Sequence, residues 1–196
     1  MIKNYLKKII FINKKIGKKY SITFKTDFGR NTEYYTGLVF LAYIKKKNQI
    51  IKKEWTDYNN HMNMAYYVLV FDQVWEIILE KFKMGEKSAK TTNMSTMVVE
   101  THTTYNSEVK EGDEVEINLT FFDHDKKRLH FKMEMIEKSS KKLSATLEML
   151  SLYINLEARK VSEFEEEKVN LMDDFINLNS SKFSNKDLML ANKLKK

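Results

Sequence analysis

From Met64 onward the apolar residues fall at Met64, Tyr67, Val68, Phe71, Val74, Trp75, Ile78, Leu79 and Phe82. Steps of three and four held for about five turns predict an amphipathic α-helix whose apolar stripe must be buried. Asn63, just ahead, is a residue type that caps helix starts, and Lys81, Lys83 and Gly85 mark the end. After a polar stretch at 86–95, read as a loop, the period falls to two. Thr96–Tyr105 is rich in Thr and Val. Val115, Ile117, Leu119 and Phe121 alternate with polar residues, as do Leu129, Phe131, Met133 and Met135. Leu143–Ile154 starts by alternating and then turns apolar on both faces, as a central strand does. Turns at Glu111–Asp113, Asp123–Lys126 and Lys138–Lys142 join these strands, and such short connections predict an antiparallel meander.

Shorter signals flank this core. Residues 48–56 read as a short strand, and Tyr34–Ile44 has the character of another. Ser162 and Glu165 have capping-box spacing ahead of an amphipathic helix carrying Phe164, Val169, Met172, Phe175 and Ile176. Lys182–Lys196 reads as a second short helix or a frayed tail. A helix bearing Phe71, Trp75 and Phe82 is most simply buried across one face of the sheet, in a two-layer α+β domain. The expected organisation is a basic leader at 1–45, the α+β domain at 46–160 and a C-terminal helical extension at 161–196.

Composition narrows the chemistry. The 196 residues include 12 Phe, 10 Tyr and 11 Met, enough apolar surface for a single-domain core. There is no Cys, which excludes disulfides, zinc–thiolate sites and a cysteine nucleophile. There is no Pro, and with only 5 Gly the turns must form on Asn, Asp, Ser and Lys. The net charge of +7 divides unevenly: residues 1–53 carry +12 and the remainder −5. The body thus lacks the basic stripe that nucleic-acid binding requires, and no nucleic-acid partner is expected. No apolar run approaches a membrane span, so no transmembrane segment is expected. The first 25 residues hold eight Lys and no acid, with Ile2, Leu6, Ile9 and Ile16 roughly on one helical face. They read as a basic leader; a transit peptide or a membrane-surface helix is the alternative, against which stand the missing Arg and scarce Ser. The expected location is cytoplasmic, or organellar if the leader is a transit signal.

The candidate chemistry lies just ahead of the long helix. Asp57, Asn59, His61 and Asn63 occupy every second position of Glu54–Tyr67 (EWTDYNNHMNMAYY). In an extended backbone that spacing sends alternate side chains the same way, so that a carboxylate, an amide and an imidazole converge. The following helix adds unpaired N–H groups and a positive dipole end, suited to a developing oxyanion. Asp57 can serve as general base on a water or attack an acyl carbon directly, with Asn59 and His61 orienting or polarising the reacting group. An Asx-rich helix-capping loop would also explain the pattern. No cofactor and no metal site is expected: His102 and His130 fall on strands and His124 in a turn, where packing or surface roles are commoner.

The segment resembles the signature of hotdog-fold acyl-CoA thioesterases, a superfamily that includes 4-hydroxybenzoyl-CoA thioesterase and the plant acyl-carrier-protein thioesterases. Asp57 matches the acidic nucleophile or base of the former, and Asp57-x-Asn59-x-His61 the Asp-x-Asn-x-His arrangement of the latter. The run WTDYNNHMNMAYYVLVFDQ at 55–73 is nearer still to the betainyl-CoA thioesterases of carnitine breakdown, found alone or fused to carnitine dehydrogenase. The stretches at 98–115, 121–135, Glu148-x-Leu150 and 159–164 fit the same group. The resemblance covers about residues 48–178. It departs where that group carries Gly before the His and this chain has Asn60, a residue that tolerates a left-handed backbone.

That resemblance implies an α+β hotdog fold, with an antiparallel sheet wrapped around a long central helix and a C-terminal helix. It implies acyl-CoA hydrolysis and a homodimer or dimer of dimers with active sites at the interface. The expected catalytic residues are Asp57, Asn59 and His61. The expected substrate-binding residues are Trp55, Tyr58, Asn63, Tyr66 and Glu108, the last standing where plant thioesterases place a further acid. Lys126, Lys127, Arg128, Lys141 and Lys142 are candidates for the CoA phosphates. A quaternary-ammonium acyl group would favour an aromatic cage from Trp55, Tyr58, Tyr66 and Tyr67. The competing readings are a non-catalytic hotdog acyl-binding or assembly module and an acyl-carrier-protein thioesterase.

Overall fold

The computed structural model describes residues 48–195. The basic leader and the strand expected at Tyr34–Ile44 lie outside the described residues. The elements are β1 (Asn48–Ile50), α1 (Met64–Lys81), α2 (Glu86–Thr92), β2 (Met94–Tyr105), β3 (Glu114–His124), β4 (Arg128–Glu137), β5 (Leu143–Asn155), β6 (Lys160–Val161) and α3 (Glu166–Asn179). Short 3₁₀ turns occupy Lys53–Trp55 and Ala191–Lys193.

The fold is α+β: an antiparallel sheet curls around α1. The helix buries Tyr67, Val70, Phe71, Val74, Trp75, Ile78 and Leu79; of the stripe its periodicity announces, Met64 and Val68 are exposed, and Val70 is buried in addition. Against it lie inward residues of the central strands, among them Ile117, Leu129, Phe131, Met133, Ala145, Leu147 and Met149. The Trp75 ring stacks on Phe131 with centroids 3.6 Å apart. At the C-terminal end of α1, Phe82 meets Phe122 at 5.1 Å and Phe175 of α3 at 5.4 Å, so α3 closes that end of the core.

Strand order corrects the expected meander. The sheet runs β1-β3-β4-β5-β2, with β6 on β5. β3, β4 and β5 are joined by short turns as expected, but β2 pairs with β5 rather than β3. The connection from β2 to β3, residues 106–113, must therefore cross three strand spacings, about 14 Å. It passes the start of α1, and its Val109 is fully buried. This crossover carries part of the candidate site.

Three local expectations are also corrected. The strand expected at 48–56 is confined to Asn48–Ile50, because the chain turns at Lys53–Trp55 to seat the Trp55 ring in the core. Part of the expected loop at 86–95 is the helix α2. It lacks an apolar period, but Lys90 pairs with Glu86 one turn away and Asn93 ends it in the left-handed conformation (φ 55°). The capping box at Ser162 and Glu165 does not form. Glu165 itself stands at the N-cap of α3, and its carboxylate takes the Tyr153 hydroxyl and the Lys168 ammonium instead. The end expected at Lys81, Lys83 and Gly85 is where α1 stops, with Lys83 left-handed (φ 58°). A Cβ on Gly85 would meet only the flexible, exposed side chain of Glu80.

The C-terminal segment, read as a short helix or frayed tail, is a docked strap. Phe183 packs between Phe175 and Phe121, and the Ser184 N–H donates to Thr120 O on the open edge of β3. The N–H groups of Met189 and Leu190 both donate to the buried Glu148 carboxylate at 2.8 Å. His130 Nε2 reaches the same carboxylate at 2.7 Å. Burial alone would raise the Glu148 pKa; the two backbone donors and His130 outweigh it and hold the group below the usual carboxylate value.

Glu148→Ala removes the acceptor of three buried donors, so unfolding in urea should show a loss of roughly 3–5 kcal/mol. Amide exchange should speed up first at Met189 and Leu190. Unchanged protection of those two amides would show that the strap is held by other contacts.

Candidate active site

The motif is a hairpin rather than an extended run. Thr56 and Met62 form an isolated antiparallel bridge, the Asp57 N–H donates to His61 O, and the Asn60 N–H donates back to Asp57 O. This is a three-residue loop, Tyr58-Asn59-Asn60, whose last residue must be left-handed. Asn60 meets that demand with φ 63°. The expectation that Asp57, Asn59 and His61 share one face through alternation is therefore corrected. The hairpin brings Asp57 and His61 together, with Asp57 Oδ1 3.9 Å from His61 Nδ1. Asn59 takes part through its backbone, whose N–H donates to Asp57 Oδ1 at 2.8 Å. His61 Nδ1 also lies 3.3 Å from Met62 O, and both side chains are partly exposed.

The hairpin is aimed at the start of α1. The Asn63 N–H donates to Trp55 O, and its side chain accepts from the Ala65 N–H at 3.0 Å as the helix N-cap. Asn63 thus has a structural duty beside the substrate-binding one expected of it. Trp55 is 6% exposed and stacks on Tyr66, with centroids 6.0 Å apart, while the Lys52 ammonium stands 5.1 Å over the Trp55 ring. Tyr58, at the hairpin tip, is 92% exposed. Tyr67 is buried edge-on against Tyr105 of β2. The four aromatics expected to form a cage are thus two separate pairings and one projecting ring.

The crossover supplies what sequence reading missed. Val109 O accepts the Met62 N–H at 2.8 Å, which ties the C-terminal arm of the hairpin to residues 106–113. The Val109 backbone also interacts with the Tyr67 phenol, whose pKa is raised first by burial and then by the nearby Glu108 charge. Glu108 is exposed and lines a cleft of about 290 Å³ with Ser107, Asp113, Glu137, Ser140, Lys142 and Ser144. The run Tyr105-x-x-Glu108 pointed to Glu108 alone. That Val109 would be the backbone anchor carries no side-chain signal.

The lysine candidates divide. Lys141 and Lys142 lie in the β4–β5 turn, at the same end of the sheet as the crossover, where Lys138 N donates to Glu114 O. Lys127 and Arg128 are at the other end of β4 and pair internally, with Glu163 at 3.5 Å and Asp125 at 2.7 Å. Among the described residues no three His, Cys, Asp or Glu side chains group as a metal site. His130 lies in the strap's carboxylate cluster and His124 pairs with Asp173 at 3.0 Å, away from the hairpin.

Residues 51–175 match the family described as the thioesterase-like superfamily. A betainyl-CoA thioesterase of Pseudomonas aeruginosa is 31% identical over 114 residues, covering 58% of this chain and 72% of that one. An L-carnitine dehydrogenase/betainyl-CoA thioesterase of Rhizobium meliloti is 27% identical over 110 residues, covering 56% of this chain and 22% of that longer protein. A Staphylococcus aureus protein solved in complex with CoA superposes with a TM-score of 0.64 at 25% identity, covering 76% of this chain and 91% of that one.

Two predictions follow from the turn geometry. Asn60→Gly should preserve stability and thiol-releasing activity, whereas Asn60→Val, β-branched at positive φ, should cost about 1–2 kcal/mol in thermal unfolding and reduce activity. Equal behaviour of the two would deny the left-handed constraint. The second concerns Glu137 in the β4–β5 turn. The Ser140 hydroxyl and the backbone N–H groups of Ser139 and Ser140 hold its pKa at about 2, below the ordinary 4.5. A lowered folded pKa stabilises above the unfolded value, and that stabilisation is lost as pH falls from about 4.5 to about 2. Glu137→Gln should flatten that part of the stability–pH curve; an unaltered curve would contradict the assignment.

Proposed function

The chain belongs to the thioesterase-like superfamily, and from that premise we propose that it hydrolyses acyl-CoA thioesters to free CoA and a carboxylic acid. The observation that carries the reading is the hairpin, which sets Asp57 beside His61 directly ahead of the first turn of α1. Either Asp57 takes a proton from a water whose oxygen forms the new bond to the acyl carbon, or the Asp57 carboxylate forms that bond and the resulting anhydride is then hydrolysed by water; in both routes the C–S bond breaks and the CoA thiolate leaves, taking up the proton the water gives. The opening N–H groups and dipole of α1 stabilise the oxyanion. Asp57 carries the reaction. His61 polarises the thioester or moves the proton, and Asn59 orients Asp57 through its backbone N–H.

Betainyl-CoA, within carnitine metabolism, is the substrate we favour, because relatives from two organisms bear that activity in their names. Within one chain the aromatics do not form a cage, so a cation would be met by separate groups: the projecting Tyr58, the Trp55–Tyr66 stack and the Glu108 carboxylate. Lys141 and Lys142 are the better placed phosphate ligands. A homodimer is supported by β2, a 12-residue edge strand paired on one side only among the described residues. It carries exposed Val98, Val99 and Tyr105, and α1 adds exposed Met64 and Val68 nearby. An unprotected edge of this length invites pairing with a second copy. No described helix is long and apolar enough to cross a membrane, and we favour a cytoplasmic setting.

Free-thiol release from a panel containing betainyl-CoA and butyryl-CoA tests the reading. The wild-type chain should turn over at least one of them and prefer the betainyl ester. Asp57→Asn keeps an oxygen to accept the Asn59 N–H, so it should fold normally while kcat falls about 10²–10⁴-fold. An undiminished rate would remove Asp57 from the mechanism.

A further inference from the structure

The two ring nitrogens of His61 have unlike surroundings. Nδ1 lies 3.3 Å from Met62 O and 3.9 Å from Asp57 Oδ1. A backbone carbonyl and an ionised carboxylate only accept hydrogen bonds, so both neighbours favour a proton on Nδ1. Met62 holds its carbonyl firmly: its side chain is 2% exposed, and its N–H donates to Val109 O at 2.8 Å. Nε2 has no hydrogen-bond partner among the described residues, and the His61 side chain is 30% exposed. A neutral imidazole carries one N–H, and the bond made by one nitrogen sets the state of the other. With the proton on Nδ1, Nε2 is left with a free lone pair. Asp57 is divided in a similar way. Its Oδ1 takes the Asn59 N–H and faces Nδ1, while Oδ2 has no partner among the described residues.

We propose that His61 is the proton acceptor in thioester hydrolysis, acting through Nε2 from the Nδ1–H tautomer. This rests on the hydrolase reading given above and decides between the two parts that reading leaves to His61. A neutral ring with no proton on Nε2 cannot donate to the thioester carbonyl, and that work falls to the opening N–H groups of α1. The ring can take a proton from water. Such a placement belongs with the route in which Asp57 bonds to the acyl carbon, because there the water needs a base other than Asp57. Asp57 Oδ2 forms that bond, the C–S bond breaks and the CoA thiolate leaves. Water then bonds to the acyl carbon of the anhydride while Nε2 takes one of its protons. The bond between the acyl carbon and Asp57 breaks, which frees the carboxylic acid and restores the Asp57 carboxylate. The imidazolium gives its Nε2 proton to the thiolate, and the cycle closes with His61 neutral again.

Replacement by side-chain amides separates the two nitrogens. In His61→Asn an amide N–H₂ can stand where Nδ1 stands, and in His61→Gln one can stand where Nε2 stands, but neither amide is a base. Both variants should be made in the full chain and compared with wild type for melting temperature, kcat and KM on the best acyl-CoA of the panel. The expected result is a kcat reduced about 10²–10⁴-fold in both, with KM within about twofold. A His61→Gln variant that keeps its kcat would show that Nε2 serves as a donor, and a His61→Asn variant that keeps it would show that His61 only braces the hairpin through Nδ1. Either result overturns the proposal. A second measurement needs no variant to fold: ¹⁵N NMR of the wild-type chain with a neutral imidazole should show His61 Nδ1 protonated and Nε2 bare, and the opposite tautomer would overturn the assignment. Wild-type inactivity on every thioester would instead overturn the hydrolase reading on which it rests.

Discussion

Burial of one broad apolar stripe on α1 constrains everything else in this molecule. Seven buried residues on an 18-residue helix, including Phe71 and Trp75, are not covered by another of the described helices, since α2 is short and polar and α3 meets only the end. The sheet must curl to cover them, and its inward rows of Leu, Met, Phe and Ala fill the space beneath. With α1 fixed in this way, the hairpin just ahead of Met64 is held at the N-terminal end of the helix, where its dipole is positive. The position of the candidate hairpin is thus a consequence of packing as much as of the motif.

The same constraint explains the crossover. β2 follows α1 and α2 and takes the edge beside β5, while β3 lies three spacings away. The intervening segment has to pass an end of the sheet, and at the end chosen it buries Val109 and offers Glu108 to solvent. The site is therefore made of two loops that meet only because the strand order is not sequential.

Much of this was legible in the sequence, for identifiable reasons. The long helix, its cap at Asn63 and the alternation in β3, β4 and β5 are period signals that burial enforces. The turn demand at Asn60 could be reasoned from residue chemistry. What stayed hidden depends on contacts between distant segments: the place of β2, the Val109 anchor and the strap on Glu148. The helix α2 was hidden for the opposite reason, since seven residues stabilised by a surface pair and a left-handed Asn93 carry no apolar period. Within the motif, alternation suggested three converging side chains, but the Tyr58–Asn60 loop reverses the chain and turns Asn59 into a backbone donor.

The carboxylates of the domain divide by how fully their oxygens are used, and that division bears on which of them can react. Glu137 accepts backbone N–H groups of Ser139 and Ser140 and the Ser139 hydroxyl; Glu148 accepts two backbone N–H groups and His130; Asp125 accepts the N–H groups of Lys127, Arg128 and Lys195 and the Arg128 guanidinium. Each is held by three or four donors, and each pins a turn or the strap. A carboxylate so engaged is a poor nucleophile or base, because every donor must be given up before a lone pair reaches substrate. Asp57 accepts a single backbone N–H, through Oδ1, at a partly exposed position beside an imidazole. One bond orients it and leaves its other lone pairs unused by the backbone, so the placement that makes Asp57 weak as a structural anchor is what fits it to the role proposed above.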